Sequence, residues 1–478
     1  MSTNISRRKV VAGAAWAAPV VAASAAVPAF ASSTECEYAS APKFNISGQP
    51  SGAKDTLKFT VPAKVDKIRF EVAGGAGGGS NQVAGGSGAL VTGEMPVKEG
   101  QVIELVAASG GVAYLVSEPG VDSKAIWQTR PATGGKGYGN GGDVTEQPVP
   151  SDAKSRVDAN WSGPSDMKRY VYGGSGGGSS ALVIDGTPVA VAGGGGGAGI
   201  RTQPGTNNMP SDSKYYNSKA VDTSTTYLSD TAVKSVLPAG ASASAATGDS
   251  AETSVSHYTV LKPFASDRTA MKVAGGNGGG NGQGGAGGEQ PMLYNDKGNV
   301  YGVLGFKSQN KQELFSSATA GDKGGSGFDG KGADGVFAYS YQIDNNDINK
   351  LEEAPVTNPK FMPSDDIGGL DKNSTLKSFN GYQTVVSAGG GAGYGGGGSG
   401  AARALSSIIT SQKWNANERP TRYRQNVGSL VQAGAGGAGG SYVAPGVAGG
   451  AIASANNGAK EAGVRNPGYV KVTLCERS

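Results

Sequence analysis

Of 478 residues, 82 are glycine, 37% are apolar and 7% are aromatic. Glycine packs no side chain and loses the most backbone freedom on ordering, so this composition excludes an ordinary close-packed core throughout the chain. A net charge of only +4 excludes a general pull toward nucleic acid, and together with regular apolar alternation it argues against a wholly disordered polar chain.

The chain opens with Ser6-Arg7-Arg8-Lys9-Val10-Val11, runs through an Ala/Val-rich stretch and reaches Ala29-Phe30-Ala31. These residues resemble a twin-arginine export signal cut after Ala31, with Val10 where such signals usually carry Phe. The resemblance implies a leader over residues 1–31, and a protein that the twin-arginine machinery carries folded across the inner membrane. The alanine content of the leader is similar to actinobacterial ones. A retained anchor is the alternative, but it would want about 20 strongly apolar residues, and Pro19 and Pro28 interrupt this stretch. The leader holds Arg7, Arg8 and Lys9 and no acidic residue, which leaves about +1 on the remaining chain. The expected location is secreted or associated with the cell envelope.

Cys36 and Cys475 are the only cysteines. An even count in an exported chain reads as a disulfide, with two free thiols or an intermolecular bridge as alternatives. Such a bridge would make the first and last strands neighbours. After Cys36, Leu57, Phe59 and Val61 alternate with Lys58 and Thr60, and beyond Pro62 the pattern resumes at Ile68, Phe70 and Val72. This is the period of half-buried strands. Ala89–Thr92, Met95–Val97 and Val102–Ala107 continue the set, with Glu99-Gly100 as a turn. At the far end Val470, Val472 and Leu474 alternate with Lys471 and Thr473. Both termini therefore predict one small antiparallel β-sandwich. Only Ala401–Glu418 carries an apolar period of helical type.

Between these strands lie seven glycine blocks: Gly74–Gly88, Gly134–Gly142, Gly173–Gly178, Gly193–Gly199, Gly275–Gly288, Gly389–Gly400 and Gly434–Gly440. They lack the Gly-X-Y repeat of collagen and the serine dominance of flexible linkers. Short glycine runs can instead form polyproline-II-type helices that bond main chain to main chain.

Val61–Ser80 (VPAKVDKIRFEVAGGAGGGS) resembles the opening of glycine-rich domains found in bacterial surface proteins and phage tail adhesins. Gly174–Gly199 is similar to the glycine-rich region of the anaplastic lymphoma kinase receptor ectodomain, with Ala181–Ile184 and Pro188–Ala192 as a strand pair around Asp185-Gly186-Thr187. Gly391–Gly400, Gly434–Val443 and Gly468-Tyr469-Val470 fit the closing part of the same pattern. The resemblance implies an all-β fold, in which a small antiparallel sandwich holds a bundle of polyglycine helices. It covers about half of residues 32–478, which are read as one domain. Long polar loops fill the rest, at about 112–132, 143–172, 200–272, 289–320, 336–386 and 402–432. Loops of this length and Tyr/Ser/Asn chemistry suit adaptable binding surfaces, and Tyr215, Tyr216 and Tyr227 are the candidate contact residues; solvated spacer is the alternative.

Catalytic and metal chemistry finds little support. His257 is the sole histidine and is expected in an exposed loop, so a Ser–His–Asp triad or a zinc site lacks its usual parts. Gly324–Gly332 (GGSGFDGKG) follows the calcium-roll nonapeptide through Asp329, but Lys331 takes an apolar position and no tandem copy follows. No cofactor is expected. The reading is a secreted, non-enzymatic, adhesin-like binding protein whose partner is a cell-surface carbohydrate or protein. A self-associating matrix or coat protein is the alternative, and an extracellular hydrolase the less favoured one.

Overall fold

A computed structural model describes residues 36–80, 83–116, 128–147, 151, 167–201, 239–258, 269–294, 300–301, 306–307, 312–344, 381–415 and 418–477. All elements formed among them are β-strands, and nearly all pairings are antiparallel. The first set is β1 (Glu37–Tyr38), β2 (Phe44–Ser47), β3 (Asp55–Thr60), β4 (Val65–Ala73), β5 (Ala89–Pro96), β6 (Val102–Ala107), β7 (Tyr114–Val116) and β8 (Gln128–Arg130). There follow β9 (Met167–Tyr172), β10 (Ser180–Ile184), β11 (Thr187–Ala192), β12 (Ile200–Arg201), β13 (Ser254–Tyr258), β14 (Thr269–Val273), β15 (Met292–Tyr294), β16 (Val300–Tyr301) and β17 (Phe306–Lys307). The last set is β18 (Gln312–Thr319), β19 (Phe337–Asp344), β20 (Gly381–Val386), β21 (Ala402–Asn415), β22 (Glu418–Ala433), β23 (Tyr442–Val443), β24 (Ala448–Ser454) and β25 (Tyr469–Glu476).

The terminal strands meet as the alternation predicts. One six-stranded sheet runs β1-β25-β4-β5-β24, with β2 also on β25, and a five-stranded sheet runs β23-β11-β10-β6-β3. Both contribute to one hydrophobic core: Ile68, Phe70 and Val72 of β4 and Val470, Val472 and Leu474 of β25 join Ile103 and Leu105 of β6 and Leu182 of β10. On β4 the alternate residues Lys67, Arg69 and Glu71 lie on the more exposed face, as period-two patterning requires, whereas β10 is buried on both faces. β5 is one strand where two short runs were expected. Gly93 lies at its middle because the Phe70 ring and Val447 occupy the space that a Cβ would need. The Cys36–Cys475 disulfide joins the ends of β1 and β25, with Cα atoms 5.2 Å apart, so first and last strands are neighbours.

Asp185 and Gly186 close the β10–β11 hairpin, both with positive φ (48° and 79°), the signature of a type I′ turn. The Asp185 carboxylate accepts the Val102 N–H at 2.8 Å and the Gln101 amide at 2.9 Å, which ties the hairpin to β6.

The glycine segments belong to no strand, yet Gly173–Ser179, Gly193–Gly199 and Gly434–Ser441 are buried throughout, while Gly275–Gly288 is partly exposed. Gly173–Ser179 leads from β9 to β10, Gly193–Gly199 from β11 to β12, and Gly434–Ser441 from β22 to β23. Each therefore spans from the two-sheet core to the eight-stranded sheet β12-β22-β21-β18-β19-β20-β9, with β17 also on β18. Their hydrogen bonds repeat every three residues. Gly194 and Gly197 donate to Ala392 and Gly389 and accept from Gly439 and Gly436; Gly195 and Ala198 donate to Gly75 and Gly78 and accept from Gly177 and Gly174. Gly193 and Gly196 accept from Ala89 and Gly86, while Gly196 donates to Ala241. Buried serines finish the pattern where glycine runs end: Ser441 Oγ accepts the Gly193 N–H, and Ser180 Oγ that of Ala108.

The segments expected as polar loops are not simple loops. Within 402–432, β21 and β22 pair along almost their whole length, and the helical period of Ala401–Glu418 gives way to this ladder. Ile408, Ile409 and Thr410 are β-branched, which suits a strand better than a helix. Strands also lie within 112–132, 143–172, 200–272, 289–320 and 336–386. In QELFSSAT of β18, polar and apolar residues come in consecutive pairs, which breaks the period-two signal. His257 likewise sits in β13, paired with Ala270, and not in a loop.

Candidate functional site

Ser6, Arg7, Arg8, Ala29 and Ala31 of the leader, and Tyr215, Tyr216 and Tyr227 of the longest insertion, lie outside the described residues. Among the sites named from sequence, the structure brings together Cys36 and Cys475 alone.

A different cluster forms at the end of the glycine segments nearest the two-sheet core. Several segments that do not continue into that core turn back there, at Tyr138-Gly139, Phe328-Asp329 and Tyr394-Gly395, and β23 enters alongside them. Gly395 has φ of 83° and Gly327 has φ of 99°, conformations open to glycine at these tight reversals. The four residues Tyr138, Phe328, Tyr394 and Tyr442 converge. Phe328 stacks on Tyr394 with ring centroids 4.7 Å apart and meets Tyr442 edge-on at 4.9 Å; Tyr394 and Tyr442 are 5.1 Å apart. Tyr138, Phe328 and Tyr442 pack on Ala181, Val183 and Val191, the outer face of the β10–β11 hairpin. All four rings remain partly exposed.

Charged pairs lie on the segments that carry Tyr138 and Phe328 and on the neighbouring strands β3 and β6. Lys331 meets Asp334 at 2.7 Å, Lys58 meets Glu104 at 3.0 Å, and Lys136 approaches Asp143 at 3.7 Å. Burial raises the Tyr138 hydroxyl above its ordinary range, and the nearby Asp329 and Glu104 carboxylates add to the rise, so it stays a neutral hydrogen-bonding group. The calcium-roll segment Gly324–Gly332 is the turn that carries Phe328: the Gly325 N–H donates to Lys331 O at 2.7 Å, and Asp329 is exposed at its tip.

Sequence reasoning missed this cluster, because its members come from four separate blocks. A signal existed nonetheless. GGKGYGNGG, GGSGFDGKG, GAGYGGGGSG and GGSYV each carry a single aromatic residue in or beside a glycine run. A lone ring in glycine-rich surroundings is costly to leave in solvent, so repeated instances point to a meeting place.

No protein-family model matches this chain, and no curated protein matches it in sequence.

Proposed function

We propose that this chain is a secreted, non-enzymatic, adhesin-like protein of the bacterial cell envelope, in which a polyglycine bundle on a β-sandwich holds binding surfaces rigid. The observation that carries the architecture is the three-residue repeat of main-chain hydrogen bonds around Gly193–Ala198. Three residues per turn is the period of a polyproline-II-type helix, and a chain without side chains can bond such helices to one another on several sides. The two sheets sharing one core are the sandwich that fixes the ends of that bundle. A scaffold of this kind spends almost no side chains on itself. Its insertions and its turns are free to carry recognition, through tyrosine rings and polar groups suited to cell-surface carbohydrate or protein.

Export follows from the leader. Replacing Arg7 and Arg8 by lysine is expected to leave the precursor in the cytoplasm, and normal secretion of that variant would contradict the route. Glycan and protein arrays probed with the mature chain test the binding role. Retention on a surface glycan or protein supports it; turnover of a polysaccharide or peptide, abolished by one carboxylate substitution, would replace it with a hydrolase. One observation favours self-association as a second reading. β24 is an exposed edge strand, AGGAIAS, without charge or proline to guard it. Oligomers that dissociate on dilution would support that reading.

A further inference from the structure

We propose that Tyr138, Phe328, Tyr394 and Tyr442 form a stacking subsite for an uncharged sugar ring, an inference that rests on the binding role proposed above. The glycine segments elsewhere carry little beyond alanine, serine and asparagine, yet the reversals at Tyr138, Phe328 and Tyr394 place rings together. A plug for the face of Ala181, Val183 and Val191 needs only apolar volume, which Leu or Val would supply without a polar atom. Three of the four residues are instead tyrosines, rings with a polar edge that remain partly exposed at the surface. Sugars present the matching surface: a face of C–H groups that lies on an aromatic ring, bordered by hydroxyls that seek hydrogen bonds.

The charges select within that class. Lys58, Lys136 and Lys331 are each paired with a carboxylate of the protein, which reduces their pull on an anionic ligand. Asp329 next to Phe328 is exposed and makes no ion pair among the described residues. Its carboxylate is an acceptor for hydroxyl donors and repels an anion. Asn140 is exposed two residues after Tyr138, and its Oδ1 accepts the Gly137 N–H at 3.3 Å, while its amide NH2 is a donor group. Rings, an acceptor and a donor together describe a neutral sugar.

The test is titration of the mature chain with neutral tetrasaccharides (β-1,4-glucan, α-1,4-glucan and β-1,4-mannan) and with an acidic oligogalacturonate, followed by calorimetry and saturation-transfer NMR. Binding is expected from at least one neutral series and not from the acidic one. Tyr394→Leu with Tyr442→Leu should weaken it roughly tenfold or more, and Tyr442→Phe, which keeps the ring, by less than about threefold. Bound sugar should also protect Tyr138, Tyr394 and Tyr442 from nitration in the unaltered protein, a readout that needs no variant. Undiminished sugar binding by a folded double-leucine variant, without protection of these tyrosines, would overturn the subsite and leave the adhesin reading standing. Binding of acidic sugar or of protein only would overturn the ligand class. Binding to nothing on the arrays would remove the adhesin reading as well.

Discussion

A methyl group at Gly196 would fall on the carbonyl of Gly436, and one at Gly195 on that of Gly86. These obstacles are main chain, which cannot rotate away as a side chain does, so the choice of glycine is steric. Gly446 offers a contrast, since a Cβ there meets nothing within 4 Å and only its positive φ (93°) favours glycine. Gly446→Ala is expected to cost about 1 kcal/mol through backbone strain. Gly196→Ala should cost about 3 kcal/mol or more through overpacking. Denaturant midpoints of the two variants compare them, and equal losses would mean that the main chains do not touch. Buried tyrosines contribute to the alkaline limit, Tyr38 and Tyr172 most clearly. Burial is the main cause that raises Tyr38 and Tyr172 from 10.0 to about 12, with Glu94 beside Tyr38 and Glu146 near Tyr172 contributing. Both stay neutral in the folded chain while the unfolded chain ionises. Stability is therefore full below pH 10 and falls as pH rises through about 12. Chemical denaturation across that range should show the decline, and Tyr172→Phe should reduce it.

Among the elements, the terminal strands were legible and the insertions were not. β4 has one buried and one largely exposed face, so Ile68, Phe70 and Val72 announce it by themselves. The turn at Asp185-Gly186 is equally local, because positive φ at two successive positions narrows the residue choice. β18 and β19 answer to one another instead. The QELFSSAT of β18 carries no one-faced apolar period, and pairing in the fold makes it a strand; β19 does alternate, with Phe337, Tyr339, Tyr341 and Ile343 against Ala338, Ser340, Gln342 and Asp344, a signal the long polar setting masked. The helical spacing of Ala401–Glu418 failed for the same reason: local spacing lost to a ladder with β22. The aromatic cluster could not be placed from sequence, since no local rule says which of the glycine turns share an end. At this scale the disulfide is the decisive tie. It holds the two-residue β1 against β25 across a sequence separation of 439 residues. Cys36→Ser should lower stability by about 2–5 kcal/mol. Peptide mapping should find Cys36 joined to Cys475 in the exported protein; two alkylatable thiols there would contradict the bridge.

The whole molecule divides its labour between two kinds of interior. Near the termini, apolar side chains from two sheets fill a conventional core. Beyond it, main chains lie close enough that N–H and C=O groups bond across segments, which leaves little buried polarity unmatched. The cost is severe sequence restriction, visible as 82 glycines. The gain is a scaffold held by main-chain hydrogen bonds, which suits the binding role proposed above. Backbone hydrogen bonding in the glycine segments is thus the claim on which the account stands, and amide hydrogen exchange of the native protein measures it directly. Gly194–Ala198 should exchange about as slowly as Phe70 and Val72 in β4, through global unfolding alone. Exchange of these glycines at the rate of an unstructured peptide, while β4 stays protected, would contradict the account.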